Sequence, residues 1–256
     1  MTSSKNLEEF WTRGDIHSRV RKAMIEADLI DKKLDIEDLF PIDQYHARGI
    51  AATVDLGKRM PILKNQKILD IGCGLGGPAR YYAKQFECFI TGIDITSSFI
   101  ELGNEFNKLT SMSDKIDLTI GNGETLKFED NTFDGAYSQH VTMNISNRKS
   151  FFSEAYRVLK KGSFFAFTEH GLGPIGEPIF PLPWANTESM SYLLTPNETI
   201  LLLNEVGFYD IEIIETGDKY MSGYEKLVNQ TNTKKTPILG IHVIGGTSMK
   251  ERSINS

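Results

Sequence analysis

Ile68-Leu69-Asp70-Ile71-Gly72-Cys73-Gly74-Leu75-Gly76-Gly77 reads as a buried strand running straight into a glycine-rich turn. Pro78 follows, at a place where the first turn of a helix tolerates a missing N–H. Gly72, Gly74 and Gly77 satisfy G-x-G-x-x-G, a spacing that lets backbone approach a nucleotide-like ligand with no Cβ in its path. That spacing alone leaves the ligand open, and Asp70 narrows it. A carboxylate two positions before the first glycine would face the turn's ligand, where a dinucleotide puts an anionic pyrophosphate. Like charges at such range repel, so a cationic ligand is expected and a nicotinamide-dependent dehydrogenase is disfavoured.

Phe89-Ile90-Thr91-Gly92-Ile93-Asp94 is a second apolar strand ending in an acid, placed where a carboxylate would hold the two hydroxyls of a ribose. S-adenosylmethionine meets both requirements, since it carries an ammonium, a sulfonium, a ribose and no phosphate. Gly121-Asn122-Gly123 and Phe133-Asp134 follow in order. On this ensemble the chain resembles the class I S-adenosylmethionine-dependent methyltransferases over roughly residues 40 to 245. Within them it is most similar to the small-molecule group that includes sarcosine/dimethylglycine-type enzymes. The shared segments are Asp43-Gln44-Tyr45-His46-Ala47-Arg48-Gly49, Gln139-His140-Val141-Thr142-Met143-Asn144-Ile145 and Pro181-Leu182-Pro183-Trp184. The resemblance implies cofactor contacts from Asp70, Gly72, Gly74, Asp94, Ile95, Asn122, Gly123 and Gln139. Asn122 stands where relatives usually carry an aspartate that accepts from the adenine amino group. Its carbonyl oxygen can accept without charge, or it can serve simply as a turn residue, and both readings stay open.

The bulk numbers are those of one substantial α/β domain: 256 residues, 40% hydrophobic and 24% charged. A net charge of −6 gives no general attraction to nucleic acid or anionic lipid. No apolar run is long enough for a membrane span, and Met1 to Glu9 has none that would make a secretory signal. Cys73 and Cys88 make neither a disulfide framework nor a metal cluster. The expectation is a metal-free, cytoplasmic protein with a small-molecule acceptor.

Strands and helices alternate along the chain, which predicts a doubly wound, mostly parallel sheet. Residues 1–60 are expected to form a helical cap, with helices over 17–30 and 44–59, and residues 61–256 the cofactor-binding domain. Strands are expected at 67–71, 89–94, 115–120, 133–138, 163–168 and 210–215, the fifth buried on both faces. Ser98 with Glu101 reads as a capping box. The Phe151–Leu159 face reads as a helix ending at Lys160-Lys161-Gly162, and Thr195-Pro196 opens another that stops at Gly207. Residues 171–191, rich in proline and glycine, are expected to be a lid loop. Ile238 to Gly245 is a poor candidate for the closing seventh strand, so the chain is expected to stop short of its natural end, with 247–256 beginning a further helix.

Methyl transfer from a sulfonium asks mainly for in-line positioning of nucleophile, methyl and sulfur. An amine acceptor needs only to arrive unprotonated, whereas a hydroxyl, phenol or carbon acceptor needs a base. His140, after a strand end at the ligand edge of the sheet, suits the base or an orienting hydrogen bond, and His170 occupies the matching edge of the next strand. Tyr45 and Arg48, three apart on an expected helix, would share a face, with Tyr45 over the cofactor. Arg48, Asn144 and Trp184 are expected around the acceptor, Arg48 pairing a substrate carboxylate and the aromatic faces attracting a developing ammonium. That arrangement suits N-methylation of an amino-acid-like amine. The alternatives are O- or C-methylation of an aromatic or natural-product acceptor, and a cofactor-binding protein without turnover.

Overall fold

The structure is a computed structural model and describes residues 2–12, 14–30, 32–173, 176–223, 237–245 and 252. Five parallel strands form its sheet in the order β3-β2-β1-β4-β5. They are β1 (Lys67–Ile71), β2 (Phe89–Asp94), β3 (Ile116–Ile120), β4 (Phe133–Gln139) and β5 (Leu159–Thr168). The connecting helices are α5 (Gly77–Phe86), α6 (Ser97–Leu109) and α7 (Arg148–Val158), with α8 (Pro196–Val206) after β5. Ahead of the sheet lie α1 (Thr2–Thr12), α2 (Ile16–Glu26), α3 (Ile36–Asp43) and α4 (Ile50–Gly57). The strand order reverses between β1 and β4, which opens a crevice at their carboxyl ends.

The period of two along β1 sets the layers. Ile68 packs with Tyr82 of α5 and Ile100 of α6 on one face, while Leu69 and Ile71 pack with Phe151 and Phe152 of α7 on the other. Glycine lets the strands and turns approach closely: a Cβ on Gly135 would stand 2.3 Å from the Phe164 ring. The cap is fastened by a fully buried ion pair between Asp43, at the end of α3, and Arg80 of α5, N···O 3.1 Å. Arg80 also donates to the carbonyl of Leu75 in the glycine turn and to Asn107 Oδ1 of α6 (2.7 Å).

Several expectations are corrected. The helix expected from residue 44 starts only at Ile50, because Arg48 and Gly49 take left-handed backbone (φ 68° and 50°). Tyr45 and Arg48 therefore lie in a turn and share no helical face. The N-cap of α6 is Thr96, so Ser98 and Glu101 form no capping box. The helix α7 ends at Val158, and Lys160, Lys161 and Gly162 belong to β5, where Gly162 (φ 77°) lies in an irregular register against β4. Residues 163–168 are only partly buried, and 210–215 form no strand beside them. Ile238 to Gly245, expected to be a poor candidate for the closing strand, indeed forms none. It contains α9 (Ile241–Gly245), whose Val243 and Ile244 are buried in the cluster of α2 and α3. Arg19 donates to the carbonyls of Val243 (3.0 Å) and Ile244 (3.1 Å), satisfying the end of that short helix. Among the described residues, then, β5 is the edge strand, which explains its partial exposure. Of the expected final helix, 247–251 and 253–256 lie outside the described residues.

Candidate active site

The crevice at the carboxyl ends of β1, β2 and β4 encloses about 960 Å³, part of it open to solvent. The turn after β1 forms its floor. Gly72, Gly74 and Gly76 all have positive φ (85°, 51° and 74°). Their surroundings differ. A Cβ on Gly72 would lie 2.2 Å from Val141 Cγ2, whereas a Cβ on Gly74 would meet nothing within 4 Å and project into open space. Thus Gly72 serves packing, while Gly74 leaves room for a ligand.

Asp94, at the end of β2, accepts from the Gly74 N–H (3.0 Å) and the Thr96 N–H (2.9 Å), one bond per oxygen. Each oxygen keeps a lone pair for a further donor, as two vicinal hydroxyls would require. Burial pushes its pKa up, opposed by those backbone N–H groups. Asp70 lines the crevice, yet its Oδ2 accepts from the Tyr137 hydroxyl at 2.6 Å. Burial pushes the Asp70 carboxyl up to about 8 despite that bond. Its charge at neutral pH is therefore conditional on a cation arriving, a refinement of the expectation that it stands ionised in the turn.

Ile95, Asn122, Gly123 and Gln139 also line the crevice. Asn122 Oδ1 accepts from the Glu124 N–H (2.8 Å), which is the turn geometry weighed against a ligand contact, and that oxygen retains a second lone pair. Gln139 is nine-tenths buried, with Oε1 near the hydroxyls of Thr53 (3.4 Å) and Tyr82 (3.3 Å) and Nε2 without a hydrogen-bond partner.

At the acceptor end, the backbone of His140 turns with φ 55°, and its N–H bonds the Thr168 carbonyl (2.8 Å). The imidazole lies near two others, with ring centroids 5.7 Å from His46 and 4.8 Å from His170. Its Nε2 is 2.9 Å from the Tyr220 hydroxyl, whereas its buried Nδ1 has no partner. Burial holds His46 and His170 down to about 4, and burial with the two neighbouring imidazoles holds His140 well below its ordinary range. All three rings are neutral at physiological pH.

The other acceptor candidates are not brought together. Tyr45 and Asn144 line the crevice, whereas Arg48 and Trp184 do not. Arg48 pairs with Asp55 at 2.7 Å. Trp184 stacks on His170 (4.5 Å between centroids) and bonds Ser191 Oγ through its indole N–H (3.0 Å). Asn144 donates to the carbonyls of Trp184 (2.9 Å) and Met190 (3.1 Å), so its amide pins the 171–191 loop. Sequence reasoning missed Trp11 of α1, which lines the crevice edge-on to Tyr45 (5.9 Å), and Tyr220, eighty positions from its partner His140. No local pattern marks either one.

Residues 69–167, the stretch that builds this crevice, match the family model described as a methyltransferase domain. The chain carries a methyltransferase domain. Its Rossmann-like architecture is shared with Haemonchus contortus phosphoethanolamine N-methyltransferase 2, solved with phosphomonomethylethanolamine and S-adenosylhomocysteine (TM-score 0.71, 20% identity, covering 97% of this chain and 57% of that one). The [4+2]-cyclase SpnF shares it equally (TM-score 0.71, 18% identity, 97% and 90%). In sequence, the methyltransferase domain is 39% identical over 116 residues to 24-methylenesterol C-methyltransferase 3 of Arabidopsis thaliana, covering 45% of this chain and 32% of that protein. The chain spans about a third of the length of the sterol methyltransferases it matches. No helix among the described residues is long and apolar enough to cross a membrane.

Proposed function

We propose that the chain is an S-adenosylmethionine-dependent methyltransferase of a small-molecule acceptor. The observation that carries this reading is the pairing of Gly74 with Asp94. Open space stands where a Gly74 Cβ would be, beside a carboxylate with one free lone pair per oxygen. A ribose edge fits that arrangement, with Asp94 accepting from both hydroxyls. Asp70 supports a cationic ligand, since an approaching positive charge favours its ionised form. Ile95, Asn122 and Gly123, which line the same crevice, would border the adenine, and Tyr45 with Trp11 would close the methionine end.

When bound, the cofactor supplies a methyl group on a sulfonium, an electrophile whose leaving group departs neutral. The chain's contribution is positioning: the glycine turn and Asp94 hold one reactant, and the carboxyl ends of β4 and β5 present the other. The net charge of −6 supports a small molecule over nucleic acid. The amino-acid-like amine loses its main support, because the Arg48 guanidinium is engaged by Asp55.

Calorimetric titration tests the reading. S-adenosylhomocysteine binds the wild type, Asp94→Ala weakens it by at least tenfold, and NAD gives no heat. Binding of NAD without S-adenosylhomocysteine overturns the proposal. Because a cyclase shares the fold and fold alone does not choose chemistry, release of labelled methyl product from a metabolite extract separates turnover from cofactor binding alone.

A further inference from the structure

One buried guanidinium joins two parts of the chain that border the crevice. Arg252 is only 9% exposed. Its Nη1 donates to the Leu182 carbonyl (2.8 Å) and its Nη2 to Asn186 Oδ1 (2.5 Å), both in the 171–191 loop. The same guanidinium lies over the Phe10 ring of α1, 5.5 Å from the centroid. A planar guanidinium does both at once, because its N–H groups point in the plane and its face stays free for an aromatic ring. Beside Phe10, Trp11 lines the crevice together with Leu7, and it also packs against the cluster of Met143, Leu182, Trp184 and Ala185. Thus α1 and the loop meet at Trp11 and are fastened to each other at Arg252. Between α1 and α2, Gly14 takes left-handed backbone (φ 78°), a natural joint for the whole of α1.

We propose that Arg252 is a positioning residue that clasps α1 to the 171–191 loop, and that release of this clasp, with α1 swinging at Gly14, sets the rate at which the cofactor enters and leaves. The inference rests on the methyltransferase reading above. None of Phe10, Leu182, Asn186 and Arg252 lines the crevice, so their mutual contacts are the same over a filled and an empty site. A contact indifferent to the ligand shifts opening equally with and without it, so it leaves affinity alone. It governs the step between closed and open, and entry and exit speed up together when it is lost. A wall of the pocket behaves differently, because its loss weakens binding and speeds exit alone.

Two measurements on the full chain test the clasp. The two tryptophans of the chain stand one on each clasped part, Trp11 on α1 and Trp184 in the loop. Acrylamide quenching of their fluorescence therefore reads opening without any cofactor, and it is at least about twofold stronger in Arg252→Met than in the wild type. Stopped-flow fluorescence with S-adenosylhomocysteine then reads exchange. Arg252→Met raises the association and dissociation rate constants at least about fivefold each, while their ratio moves by less than about twofold. Phe10→Leu acts in the same way, and the double variant is no faster than Arg252→Met, since one clasp is lost only once. Asn186→Ala keeps the ring contact, gives a smaller rise in both rates, and decides the matter if Arg252→Met fails to fold. Unchanged quenching and rates, faster dissociation alone with loss of affinity, or a double variant faster by the product of the single effects overturns the proposal. A wild type that binds no S-adenosylhomocysteine overturns the cofactor reading instead, and the quenching still decides for or against the clasp.

Discussion

Asp43 and Arg80 face each other at 3.1 Å with neither side chain exposed to solvent, and through them the last turn of α3 is locked to the helix that follows the glycine turn. The pair binds the cap to the cofactor floor in one place, since Arg80 also reaches the Leu75 carbonyl and Asn107. Removing one partner strands a buried charge, so Arg80→Met is expected to cost about 3–5 kcal/mol. The double variant Asp43→Leu/Arg80→Met recovers a substantial part of that loss. Urea unfolding of the two variants and the wild type makes the comparison.

The glycines of the turn divide by role. Gly72→Ala places a Cβ 2.2 Å from Val141 and at φ 85°, so it destabilises by more than ~3 kcal/mol. Gly74→Ala meets no atom within 4 Å and pays only for its left-handed backbone, about 1–2 kcal/mol. Its methyl nevertheless projects into the crevice, so S-adenosylhomocysteine affinity falls at least tenfold. Thermal unfolding set beside calorimetric titration distinguishes the two; equal loss of stability in both variants contradicts the assignment.

Asp70 gives a pH dependence of unusual sign. Its folded pKa of about 8 lies above the ordinary 3.8, so between these values the native state holds a proton that the unfolded chain has released. Stability contributed by this group is present below pH 4 and is lost as pH rises toward 8, with a slope of at most ~1.4 kcal/mol for each step of one in pH. Asp70→Asn keeps an acceptor for the Tyr137 hydroxyl and removes the penalty. The variant is therefore more stable than wild type at pH 8 yet binds S-adenosylhomocysteine more weakly. Denaturation curves at pH 5 and pH 8 measure the first effect, which shrinks at the lower pH.

The imidazole cluster acts at the other end of the scale. His46 and His170 are held to about 4, below the ordinary 6.5, so the unfolded chain takes up protons that the native state refuses. Their contribution is complete above pH 6.5 and is lost as pH falls toward 4. Replacing both by Gln flattens the decline in stability between pH 6.5 and pH 5, as urea midpoints will show. An unchanged slope means that the rings are solvated.

The alternation of strands and helices, the glycine turn and the acid ending the second strand are local matters, and the sequence alone determined them. A β1 pattern of apolar residues and a turn whose glycines need positive φ leave few alternatives, because backbone sterics and strand periodicity act over a handful of residues. Gly74, Asp94, Asn122 and His140 all reached one crevice for that reason: each lies at a strand's carboxyl end. Tertiary packing decided the rest. Tyr45 and Arg48 left the expected helix because the chain turns left-handed at Arg48 and Gly49, and Arg48 found Asp55 instead of open space. Val243 and Ile244 went to the cap and not to the sheet edge, since the cluster beside α2 and α3 buries them more fully than an edge strand would. Which partner each acquired depended on surfaces far away in sequence. The meeting of Tyr220 with His140 shows this most plainly: a hydrogen bond across eighty residues is set by how helices close over a sheet, and short-range propensity carries no record of it.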